Sequence, residues 1–123
     1  MAHYHIQSSK DKKYFWTKSG QNIGLTQFDP DNDLQLWKVE KDGGHKIITN
    51  YSSKEAVTLD EGTLTFILKK NTSSRSQKLN LDEEAITSIN SSLDQSQFAE
   101  FDDKQKLVIV GKDSNSQWIF KSE

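Results

Sequence analysis

One short pattern occurs three times along these 123 residues, as Gln35-Leu36-Trp37-Lys38-Val39, Gln77-Lys78-Leu79-Asn80-Leu81 and Ser116-Gln117-Trp118-Ile119-Phe120. Each copy carries two large apolar residues two positions apart, and the copies are separated by 42 and 39 residues. A period of about 40 residues is long enough for one supersecondary unit and too short for an independent domain, so the units must share a core. What precedes the motif repeats as well. Each unit opens with an isoleucine ahead of a polar turn, at Ile6, Ile48 and Ile89. A short apolar stretch follows (Tyr14-Phe15-Trp16-Thr17, Ala56-Val57-Thr58-Leu59, Gln97-Phe98-Ala99-Glu100-Phe101), and then an alternating one (Ile23 and Leu25; Leu64, Phe66 and Leu68; Leu107 and Ile109).

Apolar residues at period two over four to six positions, with turn residues such as Ser19-Gly20, Glu61-Gly62 and Asp102-Asp103 between them, predict strands. Four strands in each of three units, over about 3–44, 45–85 and 86–123, make twelve. The expected architecture is all-β, a barrel whose threefold closure removes exposed sheet edges. The segment 81–92 has Ala85, Ile86 and Ile89 at helical spacing, but it overlays the openings of the other two units and reads as a turn into a strand, with a short helical turn as the competing reading.

Three units of this length, each closed by a Gln-x-Trp-like motif, resemble a β-trefoil of the ricin-B-like lectin type over the whole chain. Only the first unit keeps both Gln35 and Trp37; Leu79 replaces the Trp in the second and Ser116 the Gln in the third. Lys13-Tyr14-Phe15 and Val39-Glu40-Lys41-Asp42-Gly43-Gly44 are similar to the fascin and hisactophilin branch of the same fold. The lectin resemblance implies, in each unit, an Asp late in the second strand, an aromatic residue after the third for stacking on a sugar ring, and an Asn before the motif. In the alignment of the units, the Asp position holds Trp16, Thr58 and Ala99, the stacking position Thr26, Ile67 and Val110, and Asn115 alone fills the last. The residues expected to form an altered sugar site are therefore Trp16 with Asp29, Asp31, Asn32 and Asp33 in the first unit, Asp60 with Asn71 in the second, and Asp102 with Asn115 in the third. Trp16 belongs there because Tyr14 and Trp16 share one face of their strand and Phe15 the other, so one aromatic face is open to solvent if the other packs.

Composition excludes several alternatives. The chain has no cysteine, so it forms no disulfide and offers no thiolate to a metal, and one proline, Pro30. With 16 basic and 18 acidic residues interspersed, it has no electrostatic footprint for duplex nucleic acid. Leu, Ile, Val and Phe total 29 residues, enough for one lean core. No apolar run follows Met1-Ala2-His3-Tyr4-His5, so no membrane insertion is expected, and the protein reads as cytoplasmic or released without a signal peptide. No nucleophile elbow, phosphate-cradling glycine loop or His-Glu metal spacing appears, so neither an enzyme nor a cofactor is expected.

His3 and His5 lie two apart and would share a strand face that could hold a metal, with His45 at the place equivalent to His3, but no third ligand is indicated and the N-terminal histidines read as solvent-exposed. Asp29-Pro30-Asp31-Asn32-Asp33 resembles the opening of a calcium loop, with Glu40 at its twelfth place, but Leu34 stands where glycine is required, and the segment reads as a solvated turn. The triplets starting at Asn50, Asn71 and Asn90 match the glycosylation sequon by chance. The chain is thus expected to be a single-domain, non-enzymatic carbohydrate-binding β-trefoil with glycans or glycoproteins as partners. The alternative is a protein-interaction β-trefoil, a protease inhibitor or cytoskeleton-binding module.

Overall fold

A computed structural model describes residues 3–112 and 116–123, and among these the chain is all-β. Twelve strands follow one another as β1 (His3–Ser8), β2 (Tyr14–Ser19), β3 (Asn22–Gln27), β4 (Trp37–Asp42), β5 (His45–Asn50), β6 (Ala56–Asp60), β7 (Thr65–Lys69), β8 (Leu79–Asn80), β9 (Asn90–Ser91), β10 (Phe98–Asp102), β11 (Leu107–Gly111) and β12 (Trp118–Ser122). Every pairing is antiparallel, and β3, β7 and β11 pair with one another as well as with their hairpin partners, which closes the sheet into a barrel. The last strand pairs with the first over five registered positions, from Tyr4 opposite Ser122 to Ser8 opposite Trp118. Residues 81–89 are a turn leading into β9, as the sequence predicts.

The same backbone bonds occur at three places. The N–H groups of Leu25, Leu68 and Val110 donate to the carbonyls of Lys106, Gln21 and Leu64, at 2.8, 2.7 and 2.9 Å, so each hairpin is tied to the turn of another. The residues after β1, β5 and β9 donate likewise to the middle residue of the Gln-x-Trp-like motif: Ser9 to Gln117, Tyr51 to Leu36 and Ser92 to Lys78, at 3.0, 2.8 and 2.9 Å. A buried polar side chain ends each of those strands and accepts turn N–H groups. Ser8 Oγ takes Lys10 and Asp11, Asn50 Oδ1 takes Ser52 and Ser53, and Ser91 Oγ takes Leu93. These groups are buried, and without such partners each would carry a desolvation cost of about 1–3 kcal/mol. Burial of Asn50 also removes it as a glycosylation acceptor in the folded protein.

Ile6, Ile48 and Ile89 are fully buried, as are Trp37, Leu79 and Trp118. Trp16 joins them, and this corrects the expectation that it faces solvent. Its ring meets Trp37 edge-on at 5.8 Å and Trp118 at 5.3 Å, the centre of an aromatic trio in the core. The other face of β2 carries Phe15, which is also buried and packs against the exposed Phe28. Alternation misled the reading of β11 too. In the run Leu-Val-Ile-Val all four residues are apolar, so period two does not mark the inner face; Val108 is buried opposite Phe101, while Leu107 and Ile109 are only half-buried. Leu64 lies in a turn at φ 55° and is exposed.

Two of the three tryptophans are hydrogen-bonded. Trp37 Nε1 donates to the Trp16 carbonyl at 3.0 Å and Trp118 Nε1 to the Ala99 carbonyl at 3.2 Å, whereas buried Trp16 Nε1 has no partner among the described residues. Replacing Trp37 or Trp118 by Phe therefore removes a buried bond that replacing Trp16 does not. In urea titrations Trp37→Phe and Trp118→Phe should each cost about 1–2 kcal/mol more than Trp16→Phe.

Lys46 of β5 reaches Glu83, an ion pair with both side chains more than four-fifths buried. Burial pushes the Glu83 carboxyl up, but the Lys46 hydrogen bond and charge outweigh it and hold the group below the usual glutamate range. A carboxyl depressed in the native state contributes stability above its unfolded pKa of about 4.3, and that contribution is lost as pH falls through the native value. Stability measured from pH 7 to pH 3 should decline less steeply in Glu83→Gln than in the parent, from a lower starting value.

Candidate functional site

The leading Gln of the first two motifs is a buried clamp. Gln35 Nε2 donates to the Gln27 carbonyl at 2.8 Å, Thr26 Oγ1 at 2.9 Å and Thr17 Oγ1 at 3.1 Å, and its Oε1 accepts the Asp29 N–H at 2.8 Å. Gln77 repeats this in the second unit, with Nε2 to the Lys70 carbonyl at 2.8 Å and Thr58 Oγ1 at 3.2 Å, and Oε1 taking the Thr72 N–H at 2.9 Å. Each Gln closes a short 3₁₀ turn, Asp33–Gln35 or Arg75–Gln77, that the sequence pattern does not predict. Three residues are too few for periodicity to reveal, and Asn32, whose side chain accepts the Leu34 N–H, is the available signal.

These contacts correct the alignment of the units. Trp16, Val57 and Ala99 pair with Leu25, Leu68 and Val110, so Val57 is the counterpart of Trp16, and Thr58 that of Thr17. In the third unit the same place belongs to Glu100. Its Oε2 accepts the Ser116 N–H at 2.9 Å, while Ser116 Oγ accepts the Phe101 N–H at 2.9 Å. The apparent loss of Gln at position 116 is thus compensated across the strand. Glu100 lies against Gly111, where a Cβ would come within 2.3 Å of its Cγ, so this glycine provides the room.

The expected sugar-binding residues separate into different roles. Trp16 is in the core and offers no stacking face to a solute. Asp29 Oδ1 accepts the Asp31 N–H at 3.0 Å, and Asn32 caps the turn that begins at Asp33, so this acidic group shapes a turn. Asp102 Oδ1 accepts the Lys104 N–H at 3.2 Å at the tip of the β10–β11 hairpin. Asn71 Oδ1 accepts the Ser73 N–H at 3.1 Å, and the residue lines a cavity of about 400 Å³. Asn115 lies outside the described residues. His3 and His5 are half-buried rather than solvent-exposed, His3 edge-on to Tyr51 and His5 edge-on to Phe28. Among the described residues no three His, Cys, Asp or Glu side chains converge as a metal site would require.

Asp60 is placed differently. It ends β6 and lines an open groove of about 520 Å³ whose walls include Gln21, Lys69, Lys70, Thr72 and Ser74, with Gln77 at its base. Position 69 is the counterpart of Thr26, so Gln77 has one hydroxyl partner in a strand where Gln35 has two. The Thr63 hydroxyl, the Gly62 N–H and the Lys69 charge hold the Asp60 carboxyl below its ordinary range, and it is an anionic acceptor at neutral pH. The groove can therefore accept hydroxyl hydrogens at Asp60 and donate from the Gln21 amide, the lysines and the Thr72 and Ser74 hydroxyls. Because the buried Gln77 fixes the lip at Thr72, Gln77→Ala should lower stability by about 1–2 kcal/mol for the lost side-chain bonds, as read by chemical denaturation.

No family model and no curated protein matches the sequence. Solved structures do match its shape. An endo-β-galactosidase from Clostridium perfringens that releases GlcNAcα1-4Gal superposes with a TM-score of 0.89 at 14% identity, covering 100% of this chain and 33% of that one. The Polyporus squamosus lectin, in complex with a human-type influenza-binding epitope, gives 0.81 at 17% identity, covering 98% of this chain and 48% of the lectin. The designed threefold-symmetric protein ThreeFoil gives 0.76 at 12% identity, with 97% of both chains covered. The chain spans a third of the endo-galactosidase and about half of the lectin. The fold of this chain is that of the β-trefoils.

Proposed function

We propose that the chain is a non-enzymatic carbohydrate-binding β-trefoil of three four-stranded repeats, and that its second repeat carries a working site. The recurrence of the Leu25, Leu68 and Val110 bonds and of the Ser8, Asn50 and Ser91 caps supports the threefold organisation. The observation that carries the binding reading is the groove at Asp60. Asp60, Gln21, Thr72, Ser74 and two lysines line one open volume, and a sugar's many hydroxyls are met by such a mixture of donors and acceptors. A glycan-bound lectin among the structures of the same fold supports the same reading.

Asp60 is ionised and its proton-donor form is suppressed, which supports binding over general-acid catalysis. The groove has no aromatic wall among its lining residues, so affinity rests on hydrogen bonds and is weak for one site. Strength then comes from multivalent presentation.

Screening the protein on a glycan array and following hits by calorimetry tests this. Asp60→Asn keeps an Oδ1 acceptor for the Gly62 N–H but removes the charge, so binding should weaken about tenfold or more with little change in melting temperature. Unchanged affinity in this variant would place the site elsewhere. Absence of any glycan binding, with one specific protein recovered in a pull-down, would favour the protein-interaction reading.

A further inference from the structure

The second cavity, of about 400 Å³, has a chemistry unlike that of the Asp60 groove. Its lining includes His3, Lys38, Glu40, Tyr51, Lys54 and Asn71. Tyr51 is 37% exposed, with its ring held edge-on by His3 at 5.0 Å and the Lys54 ammonium over its face at 4.7 Å. Lys38 and Glu40 are paired at 2.6 Å and neutralise each other, whereas Lys54 has no carboxylate within 4.0 Å among the described residues. The cavity therefore presents one uncompensated ammonium beside an aromatic ring, with hydrogen-bonding groups around them.

Neither residue is there because the fold needs it. The backbone bond that Tyr51 makes to the Leu36 carbonyl is made by Ser9 and Ser92 at the other two places, so a serine satisfies that position. Lys54 sits at φ 64°, the left-handed region that favours glycine and is strained for a side chain with a Cβ. Its N–H donates to the Asn50 carbonyl at 2.8 Å, and buried Asn50 fixes the turn through Ser52, Ser53 and the Leu34 carbonyl. Strain of this kind persists where the surroundings hold it, and it gathers at binding sites.

We propose that this cavity is a second binding site, selective for a sugar ring carrying an anionic group, a carboxylate or a sulfate. The anion pairs with Lys54, the ring packs beside Tyr51, and hydroxyls meet Glu40 and Asn71. The proposal rests on the glycan-binding reading and extends it to a different face and a different class of sugar.

Amide NMR titrations separate the two. Sodium glucuronate and galactose 6-sulfate are compared with glucose and galactose, with sodium acetate and sodium sulfate as ion controls. The acidic sugars should shift amides at residues 49–54 and 71, the neutral sugars should leave these in place, and the free ions should bind at least tenfold more weakly. Tyr51→Ser and Lys54→Gly should each weaken acidic-sugar binding tenfold or more, and Lys54→Gly should melt no lower than the parent because the strained residue is relieved. Shifts confined to 58–60, 69, 70 and 72–77 would overturn the second site and leave the glycan reading standing. Equal response to neutral sugars or to the free ions, or full binding by Lys54→Gly, would also overturn it, and silence towards every sugar would overturn both readings.

Discussion

Everything else in this molecule depends on a ring of three backbone bonds, in which Leu25, Leu68 and Val110 each donate to a turn that another hairpin provides. A hairpin alone is marginal in water, because its inner face has nothing to cover it. In this barrel the inner faces cover one another: Trp16, Val57 and Ala99 stand opposite those three donors and pack with Trp37, Leu79 and Trp118 into one core. The apolar residues of all three hairpins meet in that single core. With 29 large aliphatic and Phe residues in the chain, interlocking is how a lean composition suffices.

The Gln-x-Trp-like motif is best understood as the device that attaches loops to this core. Its first residue holds the loop before it, its middle carbonyl receives the chain leaving the next buried cap, and its last residue fills the interior. The third unit shows that the function of the motif outlasts its letters. Glu100 and Ser116 make between them a cross-strand bond where the other units use a carboxamide and a threonine, and Gly111 makes room for the longer acid. What the fold demands is that the backbone groups at the loop base be satisfied, by whichever side chains reach them.

The architecture was legible because its signal is long-ranged and redundant: three isoleucines, three motifs and period-two runs agree. The site was far less so. Trp16 looked available because β2 carries aromatics on both faces, and no local pattern tells which face is covered when Phe28, remote in sequence, packs on the second. Asp29, Asp31 and Asn32 looked like ligands because turn-forming and sugar-binding chemistries use the same residue types. Asp60 and Asn71 are expected together at one sugar site, but they line two different cavities, because where each falls depends on how the loops lie, which period and spacing do not encode. Tyr51 carried a signal that was overlooked: it is an aromatic at a position where the other units have serine.

The scaffold is repeated and the chemistry is not. Groups that close the barrel recur three times, whereas the groove at Asp60 and the cavity at Tyr51 are each lined by residues of the first and second units in combinations that do not recur. That division requires the closing bonds to be equivalent in strength although the units have diverged around them. Native-state hydrogen exchange at Leu25, Leu68 and Val110 measures this most directly. All three amides should exchange only through global unfolding, with equal free energies that track the denaturant-measured stability. If one of them opens at a distinctly lower free energy than the other two, the barrel does not close as a single cooperative unit, and its dependence on three equivalent bonds is contradicted.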